Sequence, residues 1–295
     1  MEVTAQMVKE LRTRTGAGIM DCKEALREVR GDFEEAVRHL REKGLAKAAN
    51  KAGRVASEGQ ISALVSEDGR TGVLVEVNCE TDFVARTDDF QELLGRVAGH
   101  VAKEGPDGIA RGADAGPLQE TISEAVSKLG ENILIARAER YALEDGETGR
   151  MASYIHPGGR IGVFVAVKCD SEDVAQSPAL GEVAKDLALH VAASRPTHLR
   201  ADLVPEAVLD AEREILLAQQ KDSGKPENIL AKIVDGRIRK YLREICLLDQ
   251  PYVKDPDLTV EKMLSERGKE LGEEISVSHF LRFQLGEGSE AGDAG

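Results

Sequence analysis

The feature that most constrains this chain is a repeat. Gly69-Arg70-Thr71-Gly72-Val73-Leu74-Val75-Glu76-Val77-Asn78-Cys79 returns ninety residues later as Gly159-Arg160-Ile161-Gly162-Val163-Phe164-Val165-Ala166-Val167-Lys168-Cys169. The register holds without a gap through Val84-Ala85 against Val174-Ala175. It continues to Ala98, His100, Val101 and Ala102 against Ala188, His190, Val191 and Ala192. Self-similarity at a fixed offset marks a duplicated supersecondary unit. In the first copy Val73, Val75, Val77 and Cys79 alternate with Leu74, Glu76 and Asn78, which predicts a half-buried strand. Thr81-Asp82-Phe83-Val84 then reads as a loop. Asp88 with Gln91 resembles a capping box, so a helix is expected from there.

The copies part company at two positions. Asp82 faces Glu172, and Phe83 faces Asp173. A unit that keeps its strand and helix around Asp173 does not need an aromatic there to fold. Phe83 is therefore a candidate anchor for a partner's pocket. The plainer reading has Phe83 packing inward and Asp82 capping something local.

The 295 residues suffice for two or three domains. The net charge of −14 argues against general nucleic-acid binding. That charge is uneven, because residues 1–54 hold twelve Lys/Arg against nine Asp/Glu, a basic module on an acidic body. No apolar run is long enough to span a bilayer, and no signal peptide is evident, so no membrane role is expected. Cys22, Cys79, Cys169 and Cys246 are far apart and read as small buried hydrophobes, which fits a reduced, cytoplasmic setting. No clustered nucleophile–base set or metal-ligand spacing argues for a hydrolase or transferase.

Along the chain, residues 1–54 predict three short helices. Thr4 caps the first, which carries Val8 and Leu11 and closes near Gly16-Ala17-Gly18. Ile19 and Met20 open the second, whose stripe of Cys22, Ala25, Leu26 and Val29 stops at Gly31. Asp32 and Glu35 start the third, with Gly44 as its C-terminal stop. The bundle resembles a ubiquitin-associated-type module. Residues 45–59 read as a Lys/Ala/Gly connector and 105–117 as a loose linker. The first core unit takes residues 55–140. The second takes 141–198 and 246–285, with hairpin turns at Glu67-Asp68-Gly69 and His156-Pro157-Gly158-Gly159. A helical hairpin over 199–245 interrupts it. Its stripes are Val204, Val208, Ala211, Ile215 and Ala218, then Val234, Ile238, Tyr241, Ile245 and Leu248, with a turn at Ser223-Gly224-Lys225-Pro226. Residues 286–295 read as a disordered tail. The fold class is α+β.

Val8-Lys9-Glu10-Leu11-Arg12 with Thr15-Gly16-Ala17-Gly18-Ile19-Met20-Asp21-Cys22, Val75 through Ala85, His190-Val191-Ala192-Ala193-Ser194, Lys232 through Arg237 and Gln250-Pro251-Tyr252-Val253 together resemble bacterial elongation factor Ts of the long type, with two core halves. The resemblance covers nearly the whole chain. Asp235 stands where relatives usually have Glu, and Tyr252 where they have Phe.

The resemblance implies a non-enzymatic guanine-nucleotide exchange factor for elongation factor Tu, with no cofactor or metal of its own. Thr81, Asp82, Phe83 and Val84 would intrude beside the partner's nucleotide site and dislodge its Mg²⁺. Arg12, Ile19 and Met20 would dock the N-terminal module. The second core half and the hairpin would hold the partner's remaining domains or another copy of the factor, as a homodimer or 2:2 complex. A ubiquitin-associated-type adaptor is the competing class, and it would not require a duplicated body.

Overall fold

The computed structural model describes residues 3–109, 115–220 and 226–287. Three helices come first: α1 (Ala5–Thr15), α2 (Ile19–Glu28) and α3 (Phe33–Lys51). The Thr4 hydroxyl accepts from Met7 N, and Gly16, at φ 67°, closes α1 in the left-handed conformation. Leu11, Cys22, Ala25, Leu26, Ala36 and Leu40 form a small core of their own. Asp32 caps α3, but Gly44 does not stop it. The Ala/Lys-rich stretch after Gly44 is strongly helix-forming, so the expected connector is helix as far as Lys51. Gly44 is buried within α3, and a Cβ there would make only ordinary contact with Ser127 at 3.8 Å.

The first core unit follows as β1 (Glu58–Val65), β2 (Thr71–Cys79), α4 (Asp82–Ala85), α5 (Asp88–Glu104), α6 (Gln119–Leu129) and β3 (Leu134–Ala142). The second is β4 (Gly149–Ile155), β5 (Ile161–Lys168), α7 (Glu172–Ala175) and α8 (Pro178–Ser194). The hairpin helices α9 (Glu206–Gln220) and α10 (Glu227–Ile245) and a ribbon of β6 (Pro251–Tyr252) and β7 (Asp255–Thr259) intervene. Then α11 (Val260–Leu271) and β8 (Ser276–Gln284) complete the unit. The result is a mixed helix-and-sheet protein with small antiparallel sheets, β1-β2-β3 and β4-β5-β8. The duplication reaches fine detail. Each central strand carries a register shift at the same place, Glu76/Val77 and Ala166/Val167. The predicted linker falls in part, at residues 110–114, outside the described residues. So do Ser223, Gly224 and Lys225 of the predicted turn, and the tail from residue 288.

The predicted half-buried strand is buried on both faces. One face of β2, with Val73, Val75 and Val77, packs on α5 and α6. The other meets the second sheet: Ile61 and Leu74 join Phe164, Phe283 and Leu285 in one cluster. Two equivalent glycines allow the approach. A Cβ on Gly72 would stand 2.9 Å from the Met151 sulfur and 3.2 Å from the Phe164 ring. One on Gly162 would stand 2.4 Å from Ile61 Cγ2 and 3.3 Å from Leu74. Two reciprocal bonds, Ile61 N to Gly159 O and Met151 N to Gly69 O, each 2.8 Å, tie the hairpins together. Glu76, fully buried there, accepts from Arg137 Nε at 2.7 Å and Gly286 N at 2.9 Å. A buried carboxylate held this way is costly to orphan.

The hairpin also differs from its predicted stripe. Val204, Leu209, Leu216, Val234, Ile238 and Cys246 form its core. Ile215 is 52% exposed, and Ala211 and Ala218 are exposed too. The spacing of four and three fits two neighbouring faces of α9, and only packing against α10 selects between them. Leu248 packs instead against the second core. At the hairpin's base, His190 is fully buried. Its Nε2 pairs with Gln250 Oε1 at 2.9 Å, and its Nδ1 accepts from Val253 N at 3.1 Å. Gln250 in turn donates to Ser194 O and Glu244 O.

Three outcomes follow from this packing. Gly162→Ala overpacks the sheet–sheet contact and should cost about 1–3 kcal/mol in urea denaturation. Gly95→Ala on α5, where a Cβ meets nothing within 4 Å, should instead gain up to about 1 kcal/mol. Burial also lowers the His190 pKa, against the opposing pull of the Gln250 bond. The unfolded chain then takes up a proton that the folded chain refuses. The stability is full above the ordinary imidazole value and is lost as pH falls below it, from about 6.5, toward the lower folded value. Urea midpoints at pH 7.5 and 5.5 should converge in His190→Gln relative to the parent.

Candidate functional site

The chain from Cys79 to Asp88 is not the loop its sequence predicts. Thr81 is extended, its hydroxyl accepts from Val84 N, and one turn of helix, α4, follows. A second cap, Thr87, not Asp88, starts α5 by accepting from Phe90 N. The predicted box partner, Gln91, turns its amide to Ala85 O at 2.8 Å and Gln60 Oε1 at 2.9 Å. Threonine in extended backbone is a good cap, and two such caps six residues apart fix a tight helix–helix corner. Asp82 is not the cap either. It pairs with Arg86 one turn later at 2.6 Å, at the surface. Such a pair is worth about 0.3–0.5 kcal/mol, so Asp82 is easily released to another partner.

Phe83 points outward and is 78% exposed, whereas Val84 and Ala85 turn inward against the first core. The corner itself is held firmly. Glu131, between α6 and β3, accepts from Glu80 N at 3.1 Å, Thr81 N at 3.0 Å and the Thr81 hydroxyl at 2.6 Å. From beneath, the Cys79 thiol donates to Thr81 O at 3.1 Å, and burial pushes its pKa up to about 12. The second unit repeats this mount. Glu273 accepts from Asp170 N at 3.1 Å and from Ser171 N and the Ser171 hydroxyl at 2.9 Å, and Cys169 donates to Ser171 O. At the position of the exposed aromatic the second copy carries an exposed acid, Asp173 in place of Phe83. The structure thus repeats the internal comparison made on the sequence.

Sequence reasoning missed Glu131 and Glu273. A signal existed. Leu-Gly-Glu occurs four times in the chain, but with isoleucine two residues on it occurs only at Leu129–Ile133 and Leu271–Ile275. The inserted hairpin lengthens the offset between these two, so the ninety-residue window does not align them.

Ile19 and Met20, at the start of α2, are 54% and 66% exposed, and Arg12 is exposed on α1. Their module sits against the unit that carries Phe83. Gly16 abuts the Lys128 side chain, and Lys128 pairs at 2.7 Å with Asp89 in the first turn of α5, immediately after the corner. A cleft of about 520 Å³ separates the two bodies, lined by Thr13, Arg41, Glu92, Glu124 and Lys128 among others. Arg41 crosses it to Glu120.

Two substitutions separate the mount from what it carries. Phe83→Ala should change unfolding free energy by less than about 0.5 kcal/mol, as for an exposed surface residue. Glu131→Ala strips a carboxylate from three donors and should cost about 1–3 kcal/mol. It should also speed hydrogen exchange at the Thr81 amide.

The family model for elongation factor TS matches residues 80–287. Curated relatives named elongation factor Ts from Clostridium kluyveri and Clostridium perfringens are each 49% identical to this chain. One from Symbiobacterium thermophilum is 48% identical. In each case the alignment covers 98% of this chain and 94% of the relative. Among the described residues no helix is long and apolar enough to cross a membrane. Given a family model that spans most of the chain, and near half identity end to end, the chain belongs to the elongation factor Ts family.

Proposed function

We propose that this protein is a guanine-nucleotide exchange factor for elongation factor Tu, acting in translation elongation in the cytoplasm without covalent chemistry. The observation that carries the reading is Phe83: a large aromatic, 78% exposed, on a corner whose backbone is pinned by Glu131 and two threonine caps. An exposed aromatic on a rigid mount is the form of an interface anchor, since little side-chain or backbone freedom is lost on binding.

GDP is held by its partner largely through phosphates and a bridging Mg²⁺. Phe83 enters an apolar pocket beside that site, and Thr81 and Val84 set the direction of entry. Asp82 exchanges Arg86 for the metal side of the site. A factor that binds best to the distorted, emptied partner weakens GDP binding, and GDP weakens the factor by the same ratio. Arg12, Ile19 and Met20 dock the N-terminal module, of ubiquitin-associated type over residues 1–54, on the nucleotide domain. The second unit and the hairpin hold the partner's other domains or a second copy of the factor.

The test is release of a fluorescent GDP from purified elongation factor Tu. The parent chain should accelerate it, and Phe83→Ala should lose about 2 kcal/mol or more of that acceleration, some 30-fold. No acceleration by the parent overturns the proposal. The metal role has its own comparison. The Asp82→Ala defect should shrink when a chelator replaces excess Mg²⁺, because the bridge it disturbs is already gone. A part of the Phe83→Ala defect should persist, since a wedge also disturbs metal-free phosphate contacts. An Asp82→Ala defect of equal size in both conditions removes Asp82 from the metal side.

A further inference from the structure

Three consecutive residues join the N-terminal module to the mount of Phe83. Gly130 O accepts from Lys51 Nζ at the end of α3. Glu131 holds Glu80 and Thr81, as described. Asn132, only 4% exposed, faces both ways. Its side-chain Nδ2 donates to Arg54 O at 2.7 Å and lies 3.5 Å from Ala52 O, both just beyond α3. Its backbone N donates to Glu80 Oε1 at 2.6 Å. Arg54 reaches the same Glu80 oxygen at 3.5 Å. The end of the module is thus tied to the residue immediately before Thr81 through one buried amide and one carboxylate.

The duplication supplies the control. In the second unit Gly272, Glu273 and Glu274 occupy the equivalent positions. Glu273 repeats the bonds of Glu131, so folding the corner needs only that carboxylate. Glu274 and Asp170, which replace Asn132 and Glu80, are exposed. Among the described residues the additional ties occur in the unit that carries the aromatic, the one with a helical module before it. A buried amide whose Nδ2 is aimed at main-chain carbonyls favours one arrangement over others.

From this we infer that Asn132 is a positioning residue for nucleotide exchange, one that fixes the N-terminal module and the Phe83 corner in a single geometry. The inference rests on the wedge reading of Phe83. When the module docks on the nucleotide domain, Asn132 and Glu80 transmit that placement to the aromatic. Loss of the tie leaves both contact surfaces and the α3–α6 packing intact but loosens the placement of the corner relative to the module. The maximal release rate at saturating factor then falls, while the concentration giving half of it rises less.

The experiment is a double-mutant cycle on the full chain, with GDP release from elongation factor Tu measured at saturating factor. Asn132→Ala should lower the maximal rate about five- to tenfold, a coupling within the usual range for residues in one network. Glu274→Ala, its counterpart in the second unit, should not lower it. In the Phe83→Ala background the further loss from Asn132→Ala should be under about twofold, because the residue acts through the aromatic. Lys51→Ala, at the surface, runs the same cycle if Asn132→Ala fails to fold, and Asn132→Gln should restore part of the rate. Equal losses in the parent and Phe83→Ala backgrounds overturn the inference and leave the wedge standing. An unchanged maximal rate in Asn132→Ala does the same. A Phe83→Ala chain that exchanges like the parent overturns the wedge and this inference with it.

Discussion

The rest of the molecule depends on one contact, the face-to-face packing of the two duplicated sheets. It buries Ile61, Leu74, Phe164 and Phe283 between layers, and it is possible only because Gly72 and Gly162 present no side chain to Phe164 and Leu74. The reciprocal bonds from Ile61 N and Met151 N fix the registration of one hairpin on the other. Glu76 then needs both halves at once, taking Arg137 from β3 and Gly286 from beyond β8. Apolar area drives the association, and the buried carboxylate penalises any shifted arrangement, because a shift would leave it charged and unpaired.

On that paired core each half serves a different end. Both carry the same corner: an extended cap residue, a carboxylate from the following helix–strand junction taking three donors, and a buried thiol beneath. The first half adds an aromatic and a helical module docked along α6. The second adds a helical pair that shares little with the core except at its base, where His190 and Gln250 close it. Duplication lets one corner be specialised while the other retains the scaffold. Comparison of the two therefore separates what folding requires from what the exposed residues add.

The rigidity of the corner is central to the proposed exchange. Distorting a partner's metal and phosphate contacts takes binding free energy, and a mobile wedge would lose much of it to ordering. Here the backbone under Phe83 is held before any partner arrives. The Asp82–Arg86 pair is weak enough to be exchanged. Firm backbone with a replaceable ionic partner suits a group that must act on a charge it does not keep.

Much of this was legible in the sequence. The repeat located both central strands, both following helices and the position where the copies diverge. Capping residues located α1 and α3, and helical spacing located the hairpin. Local pattern failed wherever a distant segment decided the outcome. Gly44 reads as a stop, but its neighbours favour helix and α3 packs against α6 there. Leu74, Glu76 and Asn78 read as a solvent face, but all three are buried, Leu74 against the other sheet. Ile215 fits a helical stripe, yet packing against α10 selects Leu209 and Leu216. Glu131 and Asn132 lie some fifty residues from the corner they hold, with no periodicity to link them. By itself the sequence determined most of the elements, the duplication and the aromatic that breaks it, because these follow from local backbone preference and from comparing one copy with the other; that Phe83 faces solvent came from the structure. The tertiary structure decided which faces are covered and which carboxylate holds the corner, because burial and hydrogen-bond pairing depend on residues that only folding brings together.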